Sequence, residues 1–153
     1  MGAPRLSTTL EHAVVVEGTA PHELVTKGRG ALPVRKQYYF RVSNRGLLAW
    51  DVDRLVEIAN SLPQKRIALD SIRELDQVFD EPLTWRSMVE HIKLVDAADL
   101  SFPIILASDG AVMDGMHRVV KALRQGADEI AAVQFNKDPE PDYVGRGPEE
   151  LPY

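Results

Sequence analysis

The stretch Pro103-Ile-Ile-Leu-Ala-Ser-Asp-Gly-Ala-Val-Met-Asp-Gly-Met-His-Arg-Val-Val-Lys-Ala-Leu-Arg-Gln-Gly126 decides the fold, because strand, turn, strand, glycine and helix follow without spare residues. Residues 104–107 are an apolar, β-branched run, and Asp109-Gly110 favours the positive φ angles of a two-residue type I′ turn. We therefore expect a returning strand over 111–113 and a helix over 116–125 that ends before the final glycine of the stretch.

The start of this predicted helix favours an anion. An α-helix leaves its first N–H groups without intrahelical partners, and its dipole adds about half a positive charge there. His117 and Arg118 fall in the first turn, where a cation opposes the dipole unless an anion lies beside it. We expect Arg118 to be solvated, so that its removal should have little effect on folding. The pattern predicts an anion site formed by the backbone at Gly115, Met116 and His117 and by the side chains of His117 and Arg118.

Asp114-Gly115-Met116-His117-Arg118, between a strand and a helix, resembles the phosphate-holding segment of the ParB/sulfiredoxin superfamily and its free serine kinase relatives. The resemblance covers about Arg66 to Phe135. It implies a ParB/sulfiredoxin-like α/β (or α+β) fold, with a small mixed sheet of four or five strands, flanking helices and an N-terminal β-hairpin extension. It also implies that ATP or ADP is held through its phosphates by Asp114, Gly115, Met116, His117 and Arg118. Sulfiredoxin has its reactive cysteine where this chain has Met116, and the chain has no cysteine, so sulfinic acid repair is excluded.

The resemblance also points to a carboxylate after the first core strand. The free serine kinases carry a segment similar to Leu-Arg-Pro-His-Glu, and aligning Ile72-Arg73 with its start puts Asp76 at the glutamate and Glu74 two residues earlier. Asp76 or Glu74 is then the catalytic carboxylate that assists an attacking hydroxyl. The proline and histidine of that segment are replaced here. Glu74 and Asp76 can therefore also be interpreted as ordinary surface charges. Asp114 has two readings as well, as a ligand of Mg²⁺ or as an acceptor that sets the turn.

Two functions follow from these residues. One is an ATP- or ADP-dependent phosphotransferase that acts on a small hydroxyl compound. The other is a non-catalytic ParB-like nucleotide-binding module that works through a partner or a DNA-binding segment. The net charge of −5 and the pI near 5.4 weigh against direct DNA binding, which needs a basic face. ParB proteins continue into a helix-turn-helix, whereas this chain continues into an acidic segment.

Composition bounds the remaining possibilities. A chain of 153 residues with 44% apolar content is long enough for one domain with a core of its own. It contains no run of 18 apolar residues and no signal-peptide pattern, so we expect a soluble, cytoplasmic protein without a membrane partner. The lack of cysteine removes thiol catalysis, iron–sulfur clusters and cysteine zinc sites.

Local patterns predict the elements around the central stretch. Residues 37–42 and 47–50 flank a glycine-containing turn and predict a hairpin, and Asp51 is an N-cap for a helix over 51–60. Arg66 to Leu69 reads as a strand. A helix over 84–95 is amphipathic, and its apolar residues predict one buried stripe made of Trp85, Met88, Val89, Ile92 and Val95.

The two ends of the chain differ in character. Residues 13–17 read as a strand and 19–33 as a loop, in which Lys27-Gly-Arg-Gly30 lacks the Lys-Ser/Thr ending of a phosphate-binding P-loop. A last core strand is predicted over 130–135. The sequence therefore predicts one domain over 1–135 followed by a Pro-rich acidic tail over 136–153.

Overall fold

The computed structural model describes residues 36–79 and 82–153, and within them it has a small α/β fold, as predicted. The strand expected over 13–17 and the loop expected over 19–33 lie outside the described residues. The helices and strands, in chain order, are β1 (Tyr38–Ser43), β2 (Gly46–Asp51), α1 (Val52–Ala59), β3 (Lys65–Ala68), α2 (Trp85–Ala97), β4 (Ile104–Leu106), β5 (Val112–Asp114), α3 (Met116–Arg124), β6 (Glu129–Gln134) and β7 (Tyr143–Val144).

The central stretch forms half of a four-stranded mixed sheet with the strand order β3-β6-β4-β5. Strands β4 and β6 run parallel, and the other two neighbouring pairs are antiparallel. All three residues of β4 are buried, because the strand is central and its two faces pack on different core clusters. Helix α3 packs on one of these faces through Val119 and Ala122.

The β4–β5 connection is longer by one residue than the sequence predicts. Ala107 donates to the carbonyl of Ala111, and Gly110 donates to the carbonyl of Ala107, so three residues lie in the loop. Gly110 has a φ of 88°, which is the arrangement of a type I turn followed by a left-handed glycine, not a two-residue type I′ turn. The Asp109 side chain accepts from the N–H of Ala111 and stabilises this longer loop.

A second, three-stranded antiparallel sheet has the order β1-β2-β7. Its β1–β2 hairpin is the one predicted from the sequence. The segment that the sequence describes as a tail supplies β7 and inserts Leu151 into a core cluster with Tyr38, Phe40 and Ala49. The indole of Trp50 also donates to the carbonyl of Pro139 at 2.8 Å. Residues 136–153 are therefore packed along this sheet.

Helix α1 follows β2 directly and begins as predicted. The Asp51 carboxylate accepts from the N–H of Asp53, which is the N-cap interaction expected from the sequence. Val52, Leu55 and Ala59 form its buried face. The end of α1 is thereby held close to the four-stranded sheet, since Leu55 and Ala59 share a core cluster with Ile105 and Val133.

The buried stripe predicted on α2 is wrong. Val95 is buried, whereas Trp85, Met88, Val89 and Ile92 remain exposed. The helix begins with a capping box between Thr84 and Ser87, and its last turn is held against α3, so it contacts the body of the protein mainly near its C-terminal end. Among the described residues, no helix combines the length and apolar character needed to span a bilayer.

Candidate functional site

The start of α3 depends on Gly115. This residue joins the end of β5 to the helix with a φ of 107°, a left-handed conformation that residues with a Cβ rarely adopt. A Cβ here would lie 2.7 Å from Cγ2 of Ile104 and 2.8 Å from Nη2 of Arg118. The carbonyl of Gly115 then accepts from Val119 and closes the first turn of the helix. Glycine is required both for the backbone conformation and for the close approach of Arg118.

Asp114 and Arg118 form a buried ion pair around this glycine. Nη2 of Arg118 lies 2.7 Å from Oδ2 of Asp114, and the Arg118 side chain is 1% exposed. The prediction that Arg118 is a solvated first-turn side chain is therefore wrong. The reason is positional, since Arg118 shares the sheet-facing side of α3 with Val119 and Ala122. The carboxylate of Asp114 allows this charge to be buried.

The ion pair lines a pocket between α1 and the four-stranded sheet. The pocket has a volume of about 240 Å³, and its walls are largely apolar, with an amide at the end of α1. The pocket is smaller than the roughly 300–1,000 Å³ of typical small-ligand sites, and it shares with them the combination of apolar walls and a few polar groups. The residues that line the pocket are Val56, Ala59, Asn60, Phe102, Pro103, Ile105, Asp114, Arg118 and Val133.

His117 lies in the same helical turn, beside other rings. Its ring centroid is 6.1 Å from that of His91 on α2, and His91 in turn lies 5.8 Å from the ring of Phe79. Burial lowers the pKa of His117 below its usual value; His91 and Arg118 lower it further, while Asp114 raises it. At neutral pH His117 would therefore meet an anion as a neutral hydrogen-bonding imidazole rather than as a cation.

The two carboxylates predicted as catalytic lie on one short 3₁₀ turn, Arg73–Asp76. Oε1 of Glu74 accepts from the N–H of Val112 on β5, at 2.9 Å, and thereby joins the turn to the strand that ends at Asp114. Among the described residues, Oε2 of Glu74 is buried without a hydrogen-bond partner. Asp76 is exposed to solvent. The neighbouring Arg73 donates to the carbonyl of Asp109, so this turn lies at the β4–β5 loop end of β5.

Met116 contributes to this region through packing. Its side chain is partly buried against the core cluster that contains Val119, and Leu75 from the Arg73–Asp76 turn packs against the same cluster. Met116 and Leu75 therefore border the same core cluster. Glu74 is thus connected to β5 at Val112, two residues before Asp114.

Sequence reasoning missed the residues that complete the pocket. Asn60 and Phe102 come from the end of α1 and from the loop before β4, and no local pattern links them to Asp114. The Asp114–Arg118 pair joins β5 to α3, because Asp114 is the last residue of the strand and Arg118 lies in the first turn of the helix, so the i,i+4 rule for two residues of one helix does not predict it. Neither the pair nor its position in the pocket was predicted from the sequence.

A second polar cluster lies at the β4–β5 loop and joins the two sheets. Arg41 of β1 contacts the carboxylates of Asp109 and Asp138, each at 3.3 Å, and the hydroxyl of Tyr39 at 3.2 Å. Burial raises the pKa of Tyr39, and the charge of Arg41 opposes that rise. Asp138 also accepts from the N–H of Ser108. These contacts pair charges across the gap between the sheets, so the cluster has a structural role.

The described residues contain no group of three or more His, Asp or Glu side chains arranged to hold a metal ion. A Mg²⁺ ion at Asp114 would therefore need further oxygen ligands from a bound phosphate or from water. No protein-family model, curated protein or solved structure matches this chain.

Proposed function

We propose that this protein binds ATP or ADP, with the nucleotide phosphates at the start of α3 beside Arg118. The observation that carries the proposal is the Asp114–Arg118 ion pair, which lines an apolar pocket next to a helix N-terminus. A helix N-terminus and a guanidinium are both favourable neighbours of a phosphate. The Asp-Gly-Met-His-Arg order of residues 114–118, which resembles a phosphate-holding segment, supports the choice of a nucleotide.

The energetics of the ion pair support a role in binding. Burying two charges is expensive, and apolar residues of the same size often give equal or greater stability. The walls around the pair are supplied by side chains such as Val56, Ile105 and Val133, which would favour an apolar contact at this position. A ligand that needs the guanidinium would account for a charged pair among these residues.

Asp114 fits a role as a ligand of Mg²⁺. Mg²⁺ in nucleotide sites is commonly bound by one or two carboxylates together with phosphate oxygens. Asp114 has its carboxylate at the pocket, and Arg118 holds the orientation of that carboxylate. When bound, the ion would neutralise phosphate charge that Asp114 would otherwise repel. The chain's own contribution is to hold the phosphates between this carboxylate, the guanidinium and the backbone at Gly115.

Phosphate transfer to a small hydroxyl compound is the second candidate function. Its support is Glu74, whose buried Oε2 lacks a hydrogen-bond partner among the described residues and whose Oε1 accepts from Val112 on the strand that leads to Asp114. A carboxylate near the attacking hydroxyl would accept its proton. Glu74 or the exposed Asp76 would take this role. The alternative is a module that binds the nucleotide without turnover.

Nucleotide binding is tested by calorimetric titration of the protein with ATP and ADP in the presence of Mg²⁺. The best variant is Asn60→Ala, because Asn60 is exposed at the end of α1 and its loss should leave folding within about 0.5 kcal/mol. Losing one hydrogen bond to the ligand should weaken binding about three- to tenfold. Asn136→Ala is the matched control, since Asn136 is also exposed and lies outside the pocket lining. No binding at millimolar nucleotide contradicts the proposal, and equal affinities for the two variants would show that the nucleotide does not contact Asn60.

Catalysis is tested separately, by following phosphate transfer from ATP or ADP to a pool of small hydroxyl metabolites. Asp76→Asn and Glu74→Gln should each be compared with Asp70→Asn, which removes an exposed carboxylate from the preceding 3₁₀ turn. Transfer that is lost in one of the first two variants, with nucleotide affinity retained, supports the phosphotransferase. Binding without transfer to any acceptor supports the non-catalytic module.

A further inference from the structure

The floor of the pocket beside α1 crosses three neighbouring strands. In the register of the four-stranded sheet, Ile105 on β4 is paired with Val133 on β6 and with Asp114 on β5. Paired residues of neighbouring strands point to the same face, and adjacent strands lie about 4.8 Å apart. All three residues line the pocket, so its floor is on the order of 10 Å wide. The Asp114–Arg118 pair lies at the β5 side of this floor.

Arg118 reaches the pocket from the other face of the sheet. Helix α3 packs through Val119 on the core cluster that contains Ile104, whereas Ile105 belongs to the cluster that packs against α1. The Arg118 side chain passes Gly115, where a Cβ would lie 2.8 Å from its Nη2. It thereby turns around β5, the last strand of this sheet. The start of α3 and the pocket are therefore adjacent, and one ligand can occupy both.

The pocket suits one part of a nucleotide. Its volume of about 240 Å³ is below the roughly 300–1,000 Å³ of sites that enclose a drug-sized ligand. The phosphates of a nucleotide are favoured outside the apolar walls, at the helix N-terminus. The part that remains for the pocket is the base, whose flat faces suit a narrow space between Val56 of α1 and the side chains of Ile105 and Val133.

Two residues of the lining have the chemistry to recognise a base. Phe102 is the aromatic residue of the lining, and bases stack readily on aromatic rings. The N–H of Phe102 donates to the carbonyl of Asp99, and Pro103 restricts the backbone of Phe102 from the other side. Asn60 ends α1 and supplies the amide of the lining. An amide both donates and accepts hydrogen bonds, so it can pair with two neighbouring groups of a base.

We propose that the pocket receives the base of the bound nucleotide, that Phe102 stacks on this base, and that Asn60 selects adenine over guanine. This inference rests on the proposed nucleotide binding and adds to it the residues that choose the base. Adenine places the N6 amino donor beside the N7 acceptor, and one amide pairs with both. Guanine places two acceptors, O6 and N7, at the same edge, so the carbonyl of the amide finds no donor there.

The apolar walls of the pocket strengthen this choice. Guanine carries a 2-amino group that adenine lacks. Buried against Val56, Ile105 or Val133, this donor would lose its hydrogen bonds to water without a replacement. Asp114 is the carboxylate of the lining, but its Oδ2 already accepts from Arg118 at 2.7 Å. Adenine therefore leaves fewer buried polar groups unpaired than guanine does.

Calorimetric titration in the presence of Mg²⁺ with ATP, GTP and inorganic tripolyphosphate tests this inference. The natural protein should bind ATP about ten- to a hundredfold more tightly than GTP. Asn60→Ala should reduce this ratio about three- to tenfold, because the hydrogen bond that distinguishes the two bases is lost. Its affinity for tripolyphosphate should not change. Asn136→Ala, which removes an exposed amide outside the lining, should keep the ratio of the natural protein.

Phe102→Leu tests the stacking. Every base has a π-face, so the loss of the ring should weaken the binding of ATP and GTP by the same factor, at least about fivefold. The affinity for tripolyphosphate should again stay unchanged. Phe79→Leu is the matched control, because Phe79 is also exposed and lies outside the lining. A uniform loss for all three ligands in Phe102→Leu would show that Phe102 supports the fold instead of the base, and it would overturn the stacking.

These outcomes separate the base pocket from the phosphate site. Equal affinities of the natural protein for ATP, GTP and tripolyphosphate would leave phosphate binding in place and overturn the base pocket. A preference for ATP that is unchanged in Asn60→Ala overturns the role of Asn60. No binding of any of the three ligands contradicts the proposed function itself, and the choice of base is overturned with it.

Discussion

The guanidinium of Arg118 reaches back over Gly115 to the carboxylate of Asp114, 2.7 Å away, so that the end of β5 and the first turn of α3 are joined by a buried ion pair. The strand, the glycine and the helix therefore form one rigid unit. Any ligand at the start of α3 meets a guanidinium whose orientation is already fixed. Preorganisation of this kind lowers the entropy lost on binding.

Arg118→Ala should destabilise the protein strongly. Removal of one partner leaves the Asp114 carboxylate uncompensated in a largely buried position, which costs about 3–5 kcal/mol. Arg124→Ala is the matched control on the same helix, because Arg124 pairs with Asp96 at 2.6 Å but is half-exposed, and such pairs contribute about 0–1 kcal/mol. Urea denaturation followed by circular dichroism measures both. A similar decrease in the free energy of unfolding in the two variants would show that the burial of Arg118 does not add to the stabilising effect of its ion pair.

Gly115→Ala should be more harmful than the same change at another left-handed glycine. A Cβ at Gly115 meets Ile104 and Arg118 at distances below 3.0 Å, whereas a Cβ at Gly126 has no heavy atom within 4 Å among the described residues. Both residues have positive φ angles, so both substitutions carry backbone strain of about 1–2 kcal/mol. The overpacking at Gly115 should add about 1–3 kcal/mol. Thermal denaturation measures the loss of stability in each variant. Equal losses would show that Ile104 and Arg118 move away from the added Cβ without an energetic cost.

The order of strands and helices was predictable because its signals are local. Asp51 caps α1 through its own side chain, and Gly115 allows the left-handed junction that turns β5 into α3. Such features depend on residues within one turn of each other. For this reason the central stretch from β4 to α3 agrees with the prediction except in the length of its loop.

Burial was less predictable, because periodicity indicates which side chains share a face and not what that face meets. The stripe on α2 has the spacing of a core helix, yet Trp85 is exposed because the helix contacts α3 mainly near its C-terminal end. The prediction for Arg118 is wrong in the opposite sense. An arginine in the first turn of a helix is expected to be exposed, whereas Arg118 is buried on α3. The pocket depends on Asn60, which lies more than 50 residues before Asp114 in the sequence.

Leu151→Ala should test the contribution of the C-terminal segment. Leu151 is buried against Tyr38 and Phe40 of the three-stranded sheet, so its truncation should lower the free energy of unfolding by about 2–4 kcal/mol. Val144→Ala, at an exposed position of the same segment, should change stability by less than about 1 kcal/mol. Chemical denaturation measures the difference. An unchanged stability of Leu151→Ala would mean that the segment is not part of the folded core in solution.

The buried position of His117 predicts a pH dependence of stability. Burial comes first among the causes that lower the pKa of His117, so the folded protein binds a proton there less readily than the unfolded chain does. The contribution of neutral His117 to the free energy of unfolding is fully present above the usual histidine pKa of 6.5. It decreases as the pH falls from there towards the lowered pKa of the folded state. His117→Gln should remove this part of the pH dependence. His91→Gln should weaken it, because it leaves burial in place and removes one neighbour that lowers the pKa. Urea denaturation at pH 7.5 and pH 5.5 gives the change in free energy for each protein. The decrease in the free energy of unfolding between these pH values should be largest in the natural protein, smaller in His91→Gln and smallest in His117→Gln. A decrease in His117→Gln as large as in the natural protein would show that His117 binds a proton equally well in the folded and unfolded states.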